Sequence, residues 1–156
     1  MTSRANALMI TMYGYRWGEN KLIGKGNYMK IEFLADGAED CPLIRMYDYR
    51  LEDIRLMQQM CRDLAAKTIE EIRLHDQSWI EPVNSCRFIW RTDKKNLGVR
   101  RPPDDYEFVL EYNEEGWHEL DGLLEPFAKP FSGGFQWLTQ QGDVNVLISA
   151  NVDGTW

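Results

Sequence analysis

Two segments with helical hydrophobic spacing divide the strand-like parts of this chain into three groups. Apolar residues recur every three or four positions from Leu51 to Ala65 and again from Trp117 to Phe127. Two strand-like segments precede the first helix, three or four lie between the helices, and two follow the second. This order lacks the strict alternation of a parallel doubly wound sheet. We therefore predict an α+β domain, with a mostly antiparallel sheet and both helices packed on one of its faces.

The strand predictions depend on alternation of apolar and polar residues, the pattern of a half-buried strand. The segments are Ile31 to Phe33, Leu43 to Tyr47, Glu71 to His75, Cys86 to Thr92, Asn96 to Arg101, Phe108 to Tyr112, Phe135 to Thr139 and Val144 to Ile148. The first two and the last two segments are each predicted to form a hairpin. Asp93, Lys94 and Lys95 form a turn that predicts a further hairpin, which we call the basic hairpin 87–101.

Polar residues before each helical segment predict where the helices begin. Asp48 is expected to accept the first free backbone N–H groups of the first helix, and Asn113 those of the second. Carboxylates in each first turn, such as Glu52 and Glu114, oppose the positive end of the helix dipole.

The chain is predicted to contain one folded domain, residues 29–156, preceded by a segment of different character. Residues 1–28 are interrupted by glycines and are expected to be loosely ordered or to add an edge strand. Of the chain's 156 residues, 44% are apolar, enough for a real core at a size where folding buries roughly 70% of the surface. No apolar run is long enough to span a membrane, and no secretory signal is legible. The expected location is the cytoplasm.

Charge is strongly segregated along the sequence. Residues 87–101 carry six basic side chains and one acidic one, although the net charge of the chain is −7. Residues 103–125 then carry nine acidic side chains and no Lys or Arg. If this separation persists in three dimensions, the domain has one basic and one acidic surface.

The acidic stretch predicts a surface that attracts a basic protein partner, with aromatic side chains as anchors. The candidate contact residues are Asp104, Asp105, Glu114, Glu115, Glu119 and Trp117. The simpler interpretation is that these carboxylates only keep the domain soluble. Nucleic acid is disfavoured as a ligand, because a chain of net charge −7 repels a polyanion.

The basic stretch predicts an anion site as an alternative. Its candidate ligands for a phosphate group are Arg87, Arg91, Arg100 and Arg101, and a small-molecule site across the sheet would add Trp90 and Glu111. The simpler interpretation is a solvated strand face in which arginines pair with Glu107 and Glu111 on a neighbouring strand. Such pairs contribute about 0.2–1 kcal/mol each.

Catalytic and cofactor signals are absent from the sequence. His75 and His118 have no second histidine at metal-binding spacing, and no phosphate-binding glycine motif or nucleophile-elbow motif occurs. Cys61 and Cys86 lie on predicted apolar faces, and Cys41 lies at a turn without a partner that would activate it. We therefore predict no cofactor and no metal site.

The favoured function is a bacterial-type cytoplasmic protein-interaction domain that binds a basic partner, for example as an inhibitor or immunity-like protein. A small-molecule or phosphate-binding protein or enzyme, with its site near residues 87–101, is the second hypothesis. A structural component of a larger assembly is the third. The sequence favours binding over catalysis.

Overall fold

The structure, a computed structural model, describes residues 28–130 and 133–156. These residues contain two α-helices and nine strands, so the predicted α+β class is confirmed. The prediction for residues 1–28 lies outside the described residues except for Tyr28.

The elements follow the predicted order along the chain, except that five strands lie between the helices where three or four were predicted, and Ile80–Pro82 is the one not predicted. The strands are β1 (Met29–Leu34), β2 (Leu43–Tyr47), β3 (Glu71–Arg73), β4 (Ile80–Pro82), β5 (Arg87–Thr92), β6 (Gly98–Val99), β7 (Glu107–Tyr112), β8 (Phe135–Thr139) and β9 (Asn145–Ser149). The helices are α1 (Leu51–Ala65) and α2 (Glu114–Leu124), and a 3-10 turn, Glu125–Ala128, follows α2.

The strands form two mixed sheets, where the sequence pattern predicted one. The five-stranded sheet has the order β4-β1-β2-β9-β8, and the four-stranded sheet has the order β3-β5-β7-β6. The pairs β1–β2, β3–β5, β6–β7 and β8–β9 are antiparallel, while β1–β4, β2–β9 and β5–β7 are parallel. Antiparallel pairing therefore predominates by a narrow margin.

The first and last predicted hairpins are present, but the basic hairpin 87–101 is not. β6 pairs with β7, and β7 lies between β5 and β6. A hairpin turning at residues 93–95 would place Arg87 opposite Arg101, which like-charge repulsion disfavours. In the observed parallel register, Arg87 instead lies beside Glu107.

The two helices pack against each other and against the four-stranded sheet, with α1 contacting β5 and α2 contacting β7. The apolar core draws residues from both helices and both sheets, including Ile54, Met57, Phe88, Trp117 and Val146. Neither helix of the described ranges combines the length and the apolarity that crossing a bilayer requires.

The predicted start of α2 is confirmed, whereas the predicted cap of α1 is wrong. The side chain of Asn113 accepts a hydrogen bond from the Gly116 N–H at 2.9 Å. At α1 the N-cap residue is Arg50, whose N–H donates to the buried carboxylate of Asp53 at 2.9 Å. Asp48 pairs with Lys30 at 2.6 Å instead.

Candidate functional site

Two of the four candidate anion-binding arginines are held in a charge ladder across the four-stranded sheet. Parallel pairing of β5 and β7 places Arg87 beside Glu107 and Arg91 beside Glu111. Arg87 bonds Glu107 at 3.1 Å, and Arg91 lies 2.9 Å from Glu71 and 3.8 Å from Glu111. Acidic side chains on both sides therefore neutralise the basic residues of β5.

The other two candidate arginines follow β6. Arg101 forms a paired contact with Asp105, at 2.7 and 2.8 Å, and only the exposed Arg100 makes no ion pair within the described ranges. Trp90 is fully buried in the core, so it cannot contact a ligand. A phosphate group would have to displace carboxylates from three of the four guanidinium groups, and no observation favours an anion site here.

Asp104 and Asp105 lie in the turn before β7 and are engaged locally. Asp105 pairs with Arg101, and this hydrogen-bonded contact lowers the pKa of Asp105. Asp104 accepts a hydrogen bond from the Tyr106 N–H at 3.0 Å. Of the two, only Asp104 retains a carboxylate without a basic partner among the residues described.

Three other acidic candidates share the helix α2. Glu114, Glu115 and Glu119 are exposed and form no ion pair with any described residue. The neighbouring carboxylates differ, because Asp121 lies 3.6 Å from Arg62 and Glu125 lies 3.8 Å from Lys129. We call Glu114, Glu115 and Glu119 the α2 acidic face.

Trp117 does not belong to this face, and its proposed role as a surface anchor is wrong. Its side chain is 0% exposed. It packs with Leu120 and Leu124 on the buried side of α2 and contacts the rings of Trp90 and Tyr112, with centroids 5.2 and 5.5 Å away. The helical spacing that makes α2 amphipathic turns position 117 toward the core.

A groove of about 520 Å³ lies between α2 and β8. Polar amide groups and aromatic side chains line this α2–β8 groove: Asn96, Tyr112, Gly116, Glu119, Leu123, Gln136, Trp137, Leu138, Thr139, Gln140 and Gln141. Tyr112 of β7 is hydrogen-bonded to Thr139 of β8, and burial raises the pKa of Tyr112. The half-buried Trp137 and the exposed Glu119 both line this groove.

A second hollow of about 600 Å³ lies at the start of α2. Its lining mixes charges: Lys67 and Lys94 are basic, Asp93, Glu114 and Glu115 are acidic, and Asn113 and His118 complete it. Backbone N–H groups of Lys95 and Lys94 lower the pKa of Asp93, so it remains ionised. The α2 acidic face therefore extends from this hollow, through Glu114 and Glu115, to the α2–β8 groove, through Glu119.

No cysteine of the described residues lines either hollow. Cys61 and Cys86 are buried, and burial raises the pKa of both thiols, that of Cys86 to about 12. Thiols protonated in this way are poor nucleophiles. Within residues 28–130 and 133–156, no group of three or more His, Cys, Asp or Glu side chains is placed to hold a metal ion.

No known protein family matches the sequence, and neither a characterised protein nor a solved structure shows significant similarity to it.

The α2–β8 groove could not be predicted from the sequence. Glu119 and the strand containing Trp137 were each predicted, but their proximity depends on how α2 lies relative to the five-stranded sheet. The one available signal was the polar run Thr139-Gln140-Gln141 at the end of a predicted strand.

Proposed function

We propose that this chain is a cytoplasmic protein-interaction domain that binds a basic protein through the α2 acidic face and the adjoining α2–β8 groove. The main support for this proposal is that the carboxylates of α2 differ in their ion pairing from the other charged groups. Glu114, Glu115 and Glu119 form no ion pair among the described residues, while most other charged groups of the sheet and helices do. Exposed carboxylates in this state are available to the cations of a partner.

The physical basis is a combination of steering and anchoring. Complementary charge accelerates encounter and fixes orientation, and the net charge of −7 adds a long-range attraction for a basic protein. Affinity then requires buried aromatic contact, for which Trp137 in the groove and the exposed Phe135 are suited. Inhibition of a basic enzyme is one specific form of this function.

The proposal is tested with two charge-matched variants. Glu114→Gln, Glu115→Gln and Glu119→Gln together neutralise the α2 acidic face. Their control replaces three other exposed glutamates that form no ion pair in the described ranges, Glu39→Gln, Glu70→Gln and Glu81→Gln. Both variants have the same net charge, so they separate local contact from overall attraction.

Proteins captured from native lysate are compared across the unmodified chain and both variants. We expect a basic protein whose affinity falls about tenfold or more with the α2 variant and only about threefold with the control, a difference of roughly 0.7 kcal/mol. Raising the salt concentration from about 50 to about 300 mM should weaken capture by the unmodified chain, because the Debye length shortens. Equal capture by both variants, or no salt-sensitive basic partner, would contradict the proposed function.

A further inference from the structure

Among the strands that the structure describes, β8 lies at the edge of the five-stranded sheet, and its residues Gln136 to Thr139 line the α2–β8 groove. In the five-stranded sheet β8 pairs only with β9 among the described strands. It is five residues long and contains no proline, and its pairing with β9 is regular from Phe135 to Trp137, before a register shift between Trp137 and Thr139. An edge of this kind presents backbone N–H and C=O groups that can pair with a further strand.

The hydrogen bonds show which residues of β8 face the free edge. The Ala150 N–H donates to the Gly134 carbonyl at 2.8 Å, so residues 134 and 150 form a hydrogen-bonded antiparallel pair. Alternation along the ladder gives the next such pair at Gln136 and Ile148. The backbone groups of Phe135 and Trp137 therefore point away from β9.

A side-chain hydrogen bond agrees with this orientation. The Gln136 amide Nε2 donates to the Trp137 carbonyl at 2.9 Å. A glutamine side chain therefore bonds the carbonyl that the N–H of an added strand would use.

The other sheet edges of the described residues are less suited to strand addition. β4 is three residues long and ends in Pro82, and β3 is also three residues long. β6 has only two residues, and its outer side is bridged through Val99 and Val144. Short strands, proline and covering segments are the usual means by which proteins block sheet edges.

Resting on the proposed function, we infer that the partner supplies an extended basic segment that adds to β8 as a sixth strand in the α2–β8 groove. One side of that strand meets Phe135 and Trp137, whose rings contact each other edge to face at 5.8 Å. Its basic side chains meet Glu119, which lines the same groove. Peptide addition to a sheet edge gives affinity through the backbone and specificity through alternate side chains.

A second copy of this chain is a poorer occupant of the same edge. Pairing β8 with β8 would bring two α2 acidic faces toward each other, in molecules that each carry a net charge of −7. Like-charge juxtaposition across an interface costs several kcal/mol, so the edge favours a basic strand over itself.

The test begins with random peptides of about ten residues, the upper end of the usual strand length, displayed on phage and selected with the full chain. We expect enriched peptides in which Lys or Arg alternates with apolar residues. An enriched peptide is then synthesised with N-methyl groups at alternate backbone positions, in both registers. One register should lose at least about tenfold in affinity, because N-methylation removes the N–H donors of the added strand.

Two variants of the chain address the same edge. Phe135→Pro removes an outward N–H without touching the bonds to β9, a position where an edge strand tolerates proline. Phe135→Ala removes the ring and keeps the N–H. We expect the proline variant to lose about tenfold in peptide affinity and the alanine variant about threefold.

Peptides that bind equally well in every N-methylated form would overturn strand addition. If they still require Glu114, Glu115 and Glu119, the proposed function stands and only the binding mode is wrong. Enriched peptides that are neither basic nor dependent on these glutamates contradict both proposals. A dimer of the chain in sedimentation, dissociated by the peptide, would identify a second copy as the occupant and overturn the inference.

Discussion

His75 links the stability of the fold to its own protonation. Its side chain is 5% exposed, and Nδ1 accepts a hydrogen bond from the Phe88 N–H at 3.0 Å. Burial lowers the pKa of His75, although the carboxylate of Asp76, 3.7 Å from Nε2, acts in the opposite direction. Protonation of Nδ1 would also remove the acceptor that Phe88 uses.

This arrangement predicts a loss of stability in mild acid. The unfolded chain takes up a proton on His75 near pH 6.5, whereas the folded chain resists it. The free energy of unfolding is therefore unaffected by His75 above pH 6.5 and falls as the pH drops toward the lower folded pKa. The slope due to this single group is at most about 1.4 kcal/mol per pH unit. Urea unfolding between about pH 7.5 and 5.5 measures it.

The chain contains one other histidine, which provides the control. His75→Asn keeps an oxygen for the Phe88 N–H but cannot titrate, so its stability should depend less on pH in this range. His118 is exposed on α2, and His118→Asn is the control for replacing a histidine with asparagine. If the free energy of unfolding depends equally on pH in all three proteins, His75 does not control stability in acid.

Tryptophan positions show which individual residues the sequence could place. The helical spacing that groups Trp117 with Leu120 and Leu124 was sufficient to assign it to the core, so its selection as a surface anchor went against the pattern itself. Trp137 was different. Alternation in β8 predicts the face of the sheet on which Trp137 lies. It does not predict that α2 lies beside Trp137, because packing between distant parts of the chain brings them together.

At the scale of elements, two glycines of α2 have opposite surroundings. A Cβ added at Gly122 would have no heavy atom within 4 Å. A Cβ at Gly116 would lie 2.8 Å from Cγ of Tyr112 and closer still to the side-chain oxygen of Asn96. The same side-chain oxygen of Asn96 also accepts a hydrogen bond from the Asn113 N–H at 2.9 Å.

Alanine substitutions at these two positions should therefore change stability in opposite directions. Gly122→Ala is expected to raise the free energy of unfolding by about 0.5–1 kcal/mol, since alanine has the higher helix propensity. Gly116→Ala should lower it by about 1–3 kcal/mol through overpacking, despite the same gain in propensity. Chemical denaturation of both variants measures the difference. Equal effects would mean that the region around Asn96 and Tyr112 yields to the added methyl group.

Local patterns were enough to identify most elements and their ends. The apolar positions from Leu51 to Ala65 that predicted α1 all lie within it, although its cap is Arg50 and not the predicted Asp48, and the side chain of Asn113 caps α2 as expected. The choice of strand partners was not predicted correctly. The turn at residues 93–95 favours a hairpin locally, but pairing β5 with β7 replaces repulsion between arginines with contacts to Glu107 and Glu111.

At the scale of the whole molecule, folding removes much of the charge separation seen along the chain. The basic and acidic segments are adjacent in sequence, and the parallel β5–β7 register interleaves them. What remains among the described residues is the α2 acidic face beside β8, which pairs there only with β9. Sequence order predicts the total charge of each segment, but the register between strands decides which charges stay unpaired.

The two sheets are joined where Val99 of β6 meets the segment before β9. The N–H groups of Asp143 and Val144 donate to the Val99 carbonyl at 2.7 and 3.1 Å. Gly142 makes this approach possible, because its φ is 82° and a Cβ there would lie 2.8 Å from the Val99 backbone nitrogen and closer to its carbonyl oxygen. Gly37 also has a positive φ, of 107°, but nothing lies within 4 Å of a Cβ at that position.

Comparison of Gly142→Ala with Gly37→Ala isolates the contribution of this junction to stability. Both variants force alanine into a left-handed conformation, at a cost of about 1–2 kcal/mol. Only Gly142→Ala also pushes the two sheets apart, so we expect it to lower the free energy of unfolding by about 1–3 kcal/mol more. In Gly142→Ala the backbone amide of Val144 should also exchange its hydrogen faster, because its hydrogen bond to the Val99 carbonyl is lost. If both variants lose the same stability and Val144 exchanges as before, the sheets are held together by the shared core and the bridge at Val99 contributes little.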